Sequence, residues 1–207
     1  YLMDDESVDG VGNSVIKVKN SDGVITQALI TIDSNDYPQD NKFAGLVAGI
    51  TGNYDNIHEN QIDWYKTTCE RLNADNKAFI EKTFEGDEQT HLLEKYVLVK
   101  SLVFMHIPPV EYQQAWDEFK ANGYKDTENV KYYYGTLGEK VCHPTNDDQF
   151  FEAALELGST QGMFVGHDHI NIFSLDYKGI RLTYGMSIDY VAYGKIDKAN
   201  DNPFCLF

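Results

Sequence analysis

The chain reads as an α/β protein, and three observations carry that reading. The run from Tyr96 to Met105 is almost continuously apolar, as expected of a central strand buried on both faces. Segments with helical spacing alternate with segments of strand character along the chain. Histidines gather where strands are expected to end, at His106 and at Gly166-His167-Asp168-His169. Strand ends are where α/β sheets carry their functional groups.

In chain order, Val15 to Val18 alternates apolar with polar residues, Asn20-Ser21-Asp22-Gly23 supplies a turn, and Ile25 to Ile32 reads as a second strand. Together they predict a hairpin ending in the polar cluster Asp33-Ser34-Asn35-Asp36. Residues 37 to 58 are rich in Pro, Gly, Asn and Asp and read as a long loop. Asn60 to Leu72 has helical spacing, and residues 73 to 95 are polar and partly helical in character. Glu111 to Ala121 predicts a helix stopped by Asn122-Gly123. Residues 122 to 146 read as a variable loop or insertion, Asp147 to Leu157 as a helix ending at Gly158. Short strands are expected near 162–166, 170–175 and 180–184. The whole of residues 1–207 is expected to form a single domain.

Composition narrows the function. The chain has 207 residues, 42% of them hydrophobic, enough for one sizeable core. No apolar run is long enough to span a bilayer. A formal charge of −16 argues against nucleic-acid binding, which needs clustered Lys and Arg. Cys69, Cys142 and Cys205 are scattered and odd in number, which fits reduced thiols and a cytoplasmic setting better than a disulfide framework. The start at Tyr1 leaves the compartment open.

The strongest chemical signal is the histidine pattern. In extended backbone, His167 and His169 would project their rings to the same side, and Gly166 ahead of them permits a tight turn. Imidazole is the commonest protein metal ligand, so His106, His167 and His169 are the candidate ligands of a metal site at strand ends. Asp33 and Asn35 are candidate substrate-binding residues, although turn chemistry explains them equally well. His58, His91 and His143 read as surface residues. The run Tyr132-Tyr133-Tyr134 reads as a loop packed onto the body, and Trp64 and Trp116 read as core.

A lone histidine after a buried strand, in Phe104-Met105-His106-Ile107-Pro108-Pro109, followed about 60 residues later by Gly-His-Asp-His, resembles the calcineurin-like metallophosphoesterase superfamily. Fainter echoes lie at Gly10-Val11-Gly12-Asn13, at Asp33-Ser34, at Gln61-Ile62-Asp63-Trp64-Tyr65, and from Asn171 to Gly185, so that the resemblance spans roughly residues 10 to 195. It implies the C-terminal half of an α/β/β/α sandwich, a mixed sheet with flanking helices. It also implies hydrolysis of phosphate mono- or diesters by a metal-bridging hydroxide, with two divalent or trivalent ions of Mn, Fe or Zn. By motif match His106 and His167 would hold one ion and His169 the other, while Asp168 occupies a variable position.

The family's upstream motifs, Asp-x-His, Gly-Asp-x-x-Asp and Gly-Asn-His-Asp or Glu, are not found between Tyr1 and His106. The catalytic residues are therefore expected upstream of Tyr1, and this chain is expected to be the C-terminal half of a phosphoesterase. Alone it would be inactive, with partial or no metal occupancy. It would take a phosphate-ester substrate, and need its N-terminal half or self-associate. The alternatives are a non-catalytic binding or assembly module, or an unrelated histidine-based metal domain.

Overall fold

The computed structural model describes residues 7–37, 54–145 and 147–187. Most of the expected 37–58 loop and Cys205 lie outside the described residues. The predicted hairpin is present as β1 (Ser14–Lys19) and β2 (Ile25–Thr31), paired antiparallel. Then follow α1 (Glu59–Thr83), α2 (Gly86–Tyr96), β3 (Lys100–Phe104), α3 (Glu111–Ala121) and β4 (Val130–Tyr134). The order closes with α4 (Phe150–Leu157), β5 (Thr160–Val165), β6 (Ser174–Tyr177) and β7 (Ile180–Tyr184). The strands form one mixed seven-stranded sheet in the order β1-β2-β3-β5-β7-β6-β4. Its centre, β2-β3-β5-β7, is parallel.

Five elements differ from the sequence expectation, the first being the strand expected near 170–175, which is β6 at Ser174–Tyr177. The helix predicted to stop at Leu72 runs on to Thr83, because its buried stripe of Ile62, Tyr65, Cys69 and Leu72 continues through Asn76 and Ile80. The strand predicted from Tyr96 starts at Lys100, and Tyr96 closes α2; an apolar run alone does not distinguish a helix end from a strand. The helix predicted from Asp147 starts at Phe150, whose N–H donates to Asp148 Oδ1 at 3.0 Å. The expected loop of 122–146 contains the edge strand β4, paired with β6.

Strand register sorts the side chains between the two faces. Ile30, Val103, Met163, Leu182 and Leu175 lie in one row across five strands and are all fully buried. Helices cover this face. Tyr65 of α1 shares a hydrogen bond with Thr160, Phe150 of α4 packs on Tyr65, and Tyr112 of α3 is buried against Phe173 and Tyr184. The opposite face carries Ile16, Leu29 and Leu102 in one row and Phe104 and Phe164 in the next. The two phenylalanines stack at 5.1 Å between ring centroids, yet Phe104 is 37% and Ile16 51% exposed. Among the described residues there is one sheet and one helical layer, where a four-layer sandwich has two of each. No helix among them is long and apolar enough to cross a membrane.

Tyr112 ties α3 to the sheet. Its hydroxyl donates to Met163 O at 2.7 Å and accepts from the Thr183 N–H at 3.2 Å, in a fully buried setting. Tyr112→Phe keeps the ring and removes both bonds. Stability is expected to fall by about 1–3 kcal/mol, read as a lower urea midpoint with an unchanged slope.

Candidate metal centre at the strand ends

Three loops leave the same edge of the parallel strands and meet there. Ser34, after β2, accepts the Ile107 N–H on its hydroxyl at 2.8 Å, and the Gly166 N–H donates to His106 O at 3.1 Å. These bonds hold the His106 turn between its two neighbours. His106 Nε2 and His167 Nδ1 lie 3.3 Å apart, with their rings edge to face. The sequence places both at strand ends, and parallel pairing of β3 with β5 makes those ends adjacent.

The route by which His167 reaches this position differs from expectation. The segment is a turn rather than extended backbone: His167 has φ of +69°, and the Asp168 N–H closes back onto Gly166 O at 2.9 Å. Left-handed backbone is uncommon for a residue with a Cβ, and such strain collects at functional sites. Gly166 itself does not take the positive φ, and a Cβ there would meet His106 only at ordinary contact distance. His169 sits on the next turn, where its N–H donates to Glu139 Oε1 at 2.8 Å. Its ring nitrogens are not among the donor atoms that cluster with those of His167.

Asp168 faces inward and braces the turn. It is 4% exposed and accepts hydrogen bonds from the Tyr184 hydroxyl, Asn171 Nδ2 and the Cys142 N–H. Sequence reasoning passed over two neighbours of the histidines. Tyr54 presents its ring edge-on to His167 at 4.7 Å. Cys142 Sγ, a His167 nitrogen and an Asp168 oxygen lie within 4.8 Å of one another. Nothing local in the sequence marks Cys142, which reaches the site because Asn171 Oδ1 accepts the Gly138 and Glu139 N–H groups. Burial, with the Asp168 charge adding, pushes the Cys142 thiol up to about 12.

Burial likewise holds His167 below the ordinary histidine range. The Asp168 charge opposes this shift, and the charges of His106 and His169 reinforce it. The resulting neutral imidazole is the form that ligates metal. Two imidazoles converging at one point suit a borderline transition ion. The Asp168 carboxylate beside them is engaged by three donors.

Asp33 and Asn35 border a separate cleft of about 500 Å³, lined also by Asp9, Asp36, Asp55 and His58. Their polar atoms hold the loop together. Asp33 accepts from Val11 N and Asn35 N, and Asn35 Nδ2 donates to Asn56 O and Gln61 Oε1. Gln61, fully buried, also accepts the His58 N–H and donates to Asp33 O and Asn13 Oδ1. His58, expected at the surface, caps α1 and bridges Asp9 Oδ2 at 2.8 Å and Asp55 Oδ2 at 3.2 Å.

An α/β sheet with histidines at the ends of neighbouring parallel strands, in the order His then Gly-His-x-His, agrees with the metallophosphoesterase resemblance read from the sequence. Three curated Arabidopsis thaliana proteins are similar along almost the whole chain. Probable inactive purple acid phosphatase 14 is 26% identical over 91% of this chain and 41% of its own length. Probable inactive purple acid phosphatase 29 is 27% identical with the same coverage, and number 28 is 23% identical over 94% of the chain. By sequence the chain is similar to purple acid phosphatase-like proteins, relatives of the calcineurin-like metallophosphoesterase type. It spans about two-fifths of the length of these relatives. No family model matches the chain, and no solved structure matches it.

His58 offers a pH test. Burial alone would lower its pKa, but hydrogen bonds and charge from Asp9 and Asp55 outweigh that and raise it. A group with a raised folded pKa contributes most below its unfolded value, and the contribution fades as pH rises through the folded value. Stability is expected to decline as pH rises from about 6 towards 8. His58→Asn should flatten that slope in pH-dependent thermal melts.

Proposed function

We propose that this chain supplies the histidine ligands of a metal-dependent phosphoesterase-like protein and hydrolyses no phosphate ester by itself. The observation that carries the reading is the 3.3 Å approach of His106 Nε2 to His167 Nδ1 at adjacent strand ends. His106 and His167 would hold one ion of Mn, Fe or Zn, and His169 would face a second. A bound ion of this kind lowers the pKa of its water and polarises a phosphoryl oxygen. Asp168 keeps the His167 turn in place, and Tyr54 limits the freedom of the ring.

The remaining ligands and the proton donor for the leaving group would come from the part of the relatives that this chain does not span. In the same reading, a second sheet covers the face bearing Phe104 and Phe164. The substrate's phosphate belongs at the histidines, because the carboxylates of Asp9, Asp36 and Asp55 repel anions from the cleft beside Asp33 and Asn35. That cleft suits the uncharged or cationic portion of an ester.

A second reading, a non-catalytic binding module, is supported by the relatives' own designation as probable inactive phosphatases. Elemental analysis separates the possibilities. Protein purified without chelator is expected to carry about one transition ion per chain, lost in His106→Ala and His167→Ala, with no phosphatase activity. Two ions with turnover would overturn the incomplete-site reading. No ion in either wild type or variants would remove the metal reading altogether.

A further inference from the structure

A second group of ligand-type side chains stands apart from the histidines. Glu111 opens α3, Asp147 lies in the loop before α4, and Glu152 is in the first turn of α4. One carboxylate oxygen from each lies within 4.8 Å of the other two. Glu111 is 2% exposed, and its Oε1 is buried with no hydrogen-bond partner. Glu152 Oε2 is buried and unpartnered in the same way.

Unpaired buried carboxylate oxygens carry a high desolvation cost, and bringing two of them together adds repulsion. Among the described residues, none of the ion pairs reaches these three side chains. The starts of α3 and α4 bring partial positive charge to the region but leave both oxygens without a donor. Burial pushes the Glu111 carboxyl up to about 8 against the pull of its own N–H, with the charges of Glu152, Asp147 and Asp148 adding. A positive charge at the centre of the group would relieve all of this at once.

We propose that Glu111, Asp147 and Glu152 bind a hard divalent cation of the Ca²⁺ or Mg²⁺ class. The donors are all oxygen, the preference of hard ions, whereas the histidine centre suits borderline transition ions. Asp147 is exposed, so water completes the coordination on that side. The ion joins the start of α3, which follows directly on His106-Ile107-Pro108-Pro109, to the start of α4. Asp148 extends the brace by accepting the Ile57 N–H at 3.1 Å. The role is structural: the ion fixes the turn that presents His106.

The test is calorimetric titration of the chelator-treated full chain with Ca²⁺ and, separately, Mg²⁺, alongside thermal melts. Wild type, Glu111→Gln and Glu152→Gln are compared, each also in a His167→Ala background so that binding at the histidines is not counted. About one ion per chain, a Tm raised by the cation and about tenfold or greater weakening in either variant would support the site. The metal-free variants should melt no lower than metal-free wild type, because the substitution relieves repulsion. Absence of binding to wild type, or binding that survives both substitutions, overturns the proposal and leaves a shared proton as the occupant. Should Glu111→Gln fail to fold, the half-buried Glu152→Gln decides the matter alone.

Discussion

Parallel pairing of β2, β3 and β5 is the constraint on which the rest of the structure depends. Parallel strands send their carboxyl ends to one edge of the sheet, so the loops carrying Asp33, His106 and His167 must leave side by side. The bonds Ile107 N–H to Ser34 Oγ and Gly166 N–H to His106 O then lock adjacent loops to each other. With that edge fixed, His167 can be held at a φ of +69°, because Asp168 beneath it is gripped by three donors. Local strain and long-range packing oppose one another here, and packing prevails.

Much of this was legible in the sequence because it was written locally. The hairpin announced itself by alternation and by Asn20-Ser21-Asp22-Gly23, and α3 by its spacing and its Asn122-Gly123 stop. The convergence of His106 with His167 followed from strand-end placement. The rest depended on contacts between distant segments. Nothing near Val130 shows that it will pair with Tyr177, so β4 looked like a loop. Cys142 and Tyr54 come to the histidines only through tertiary packing. The turn at Gly166 was anticipated, but its left-handed residue is His167, which propensity alone would not select.

The two faces of the sheet differ in kind. One is sealed by helices and carries the row from Ile30 to Leu175. The other bears the exposed Ile16 and Phe104 beside a half-buried Phe164, while the curated relatives are more than twice as long as the matched segment. Charge is also unevenly placed. The histidines hold the imidazole donors, and carboxylates concentrate in the cleft beside Asp33 and in the Glu111 cluster.

The position of β4 has a consequence for the order of assembly. It lies ahead of α4 and β5 in the chain, yet its strand partner is β6, more than one element further on. Its ladder cannot form until β6 has been made, and that pairing closes a long loop. Tyr132 stacked on Phe119 at 4.7 Å gives it an early, local foothold on α3. The edge strand is thus secured on one side by an aromatic stack against the helix before it and on the other by a strand from much later in the chain.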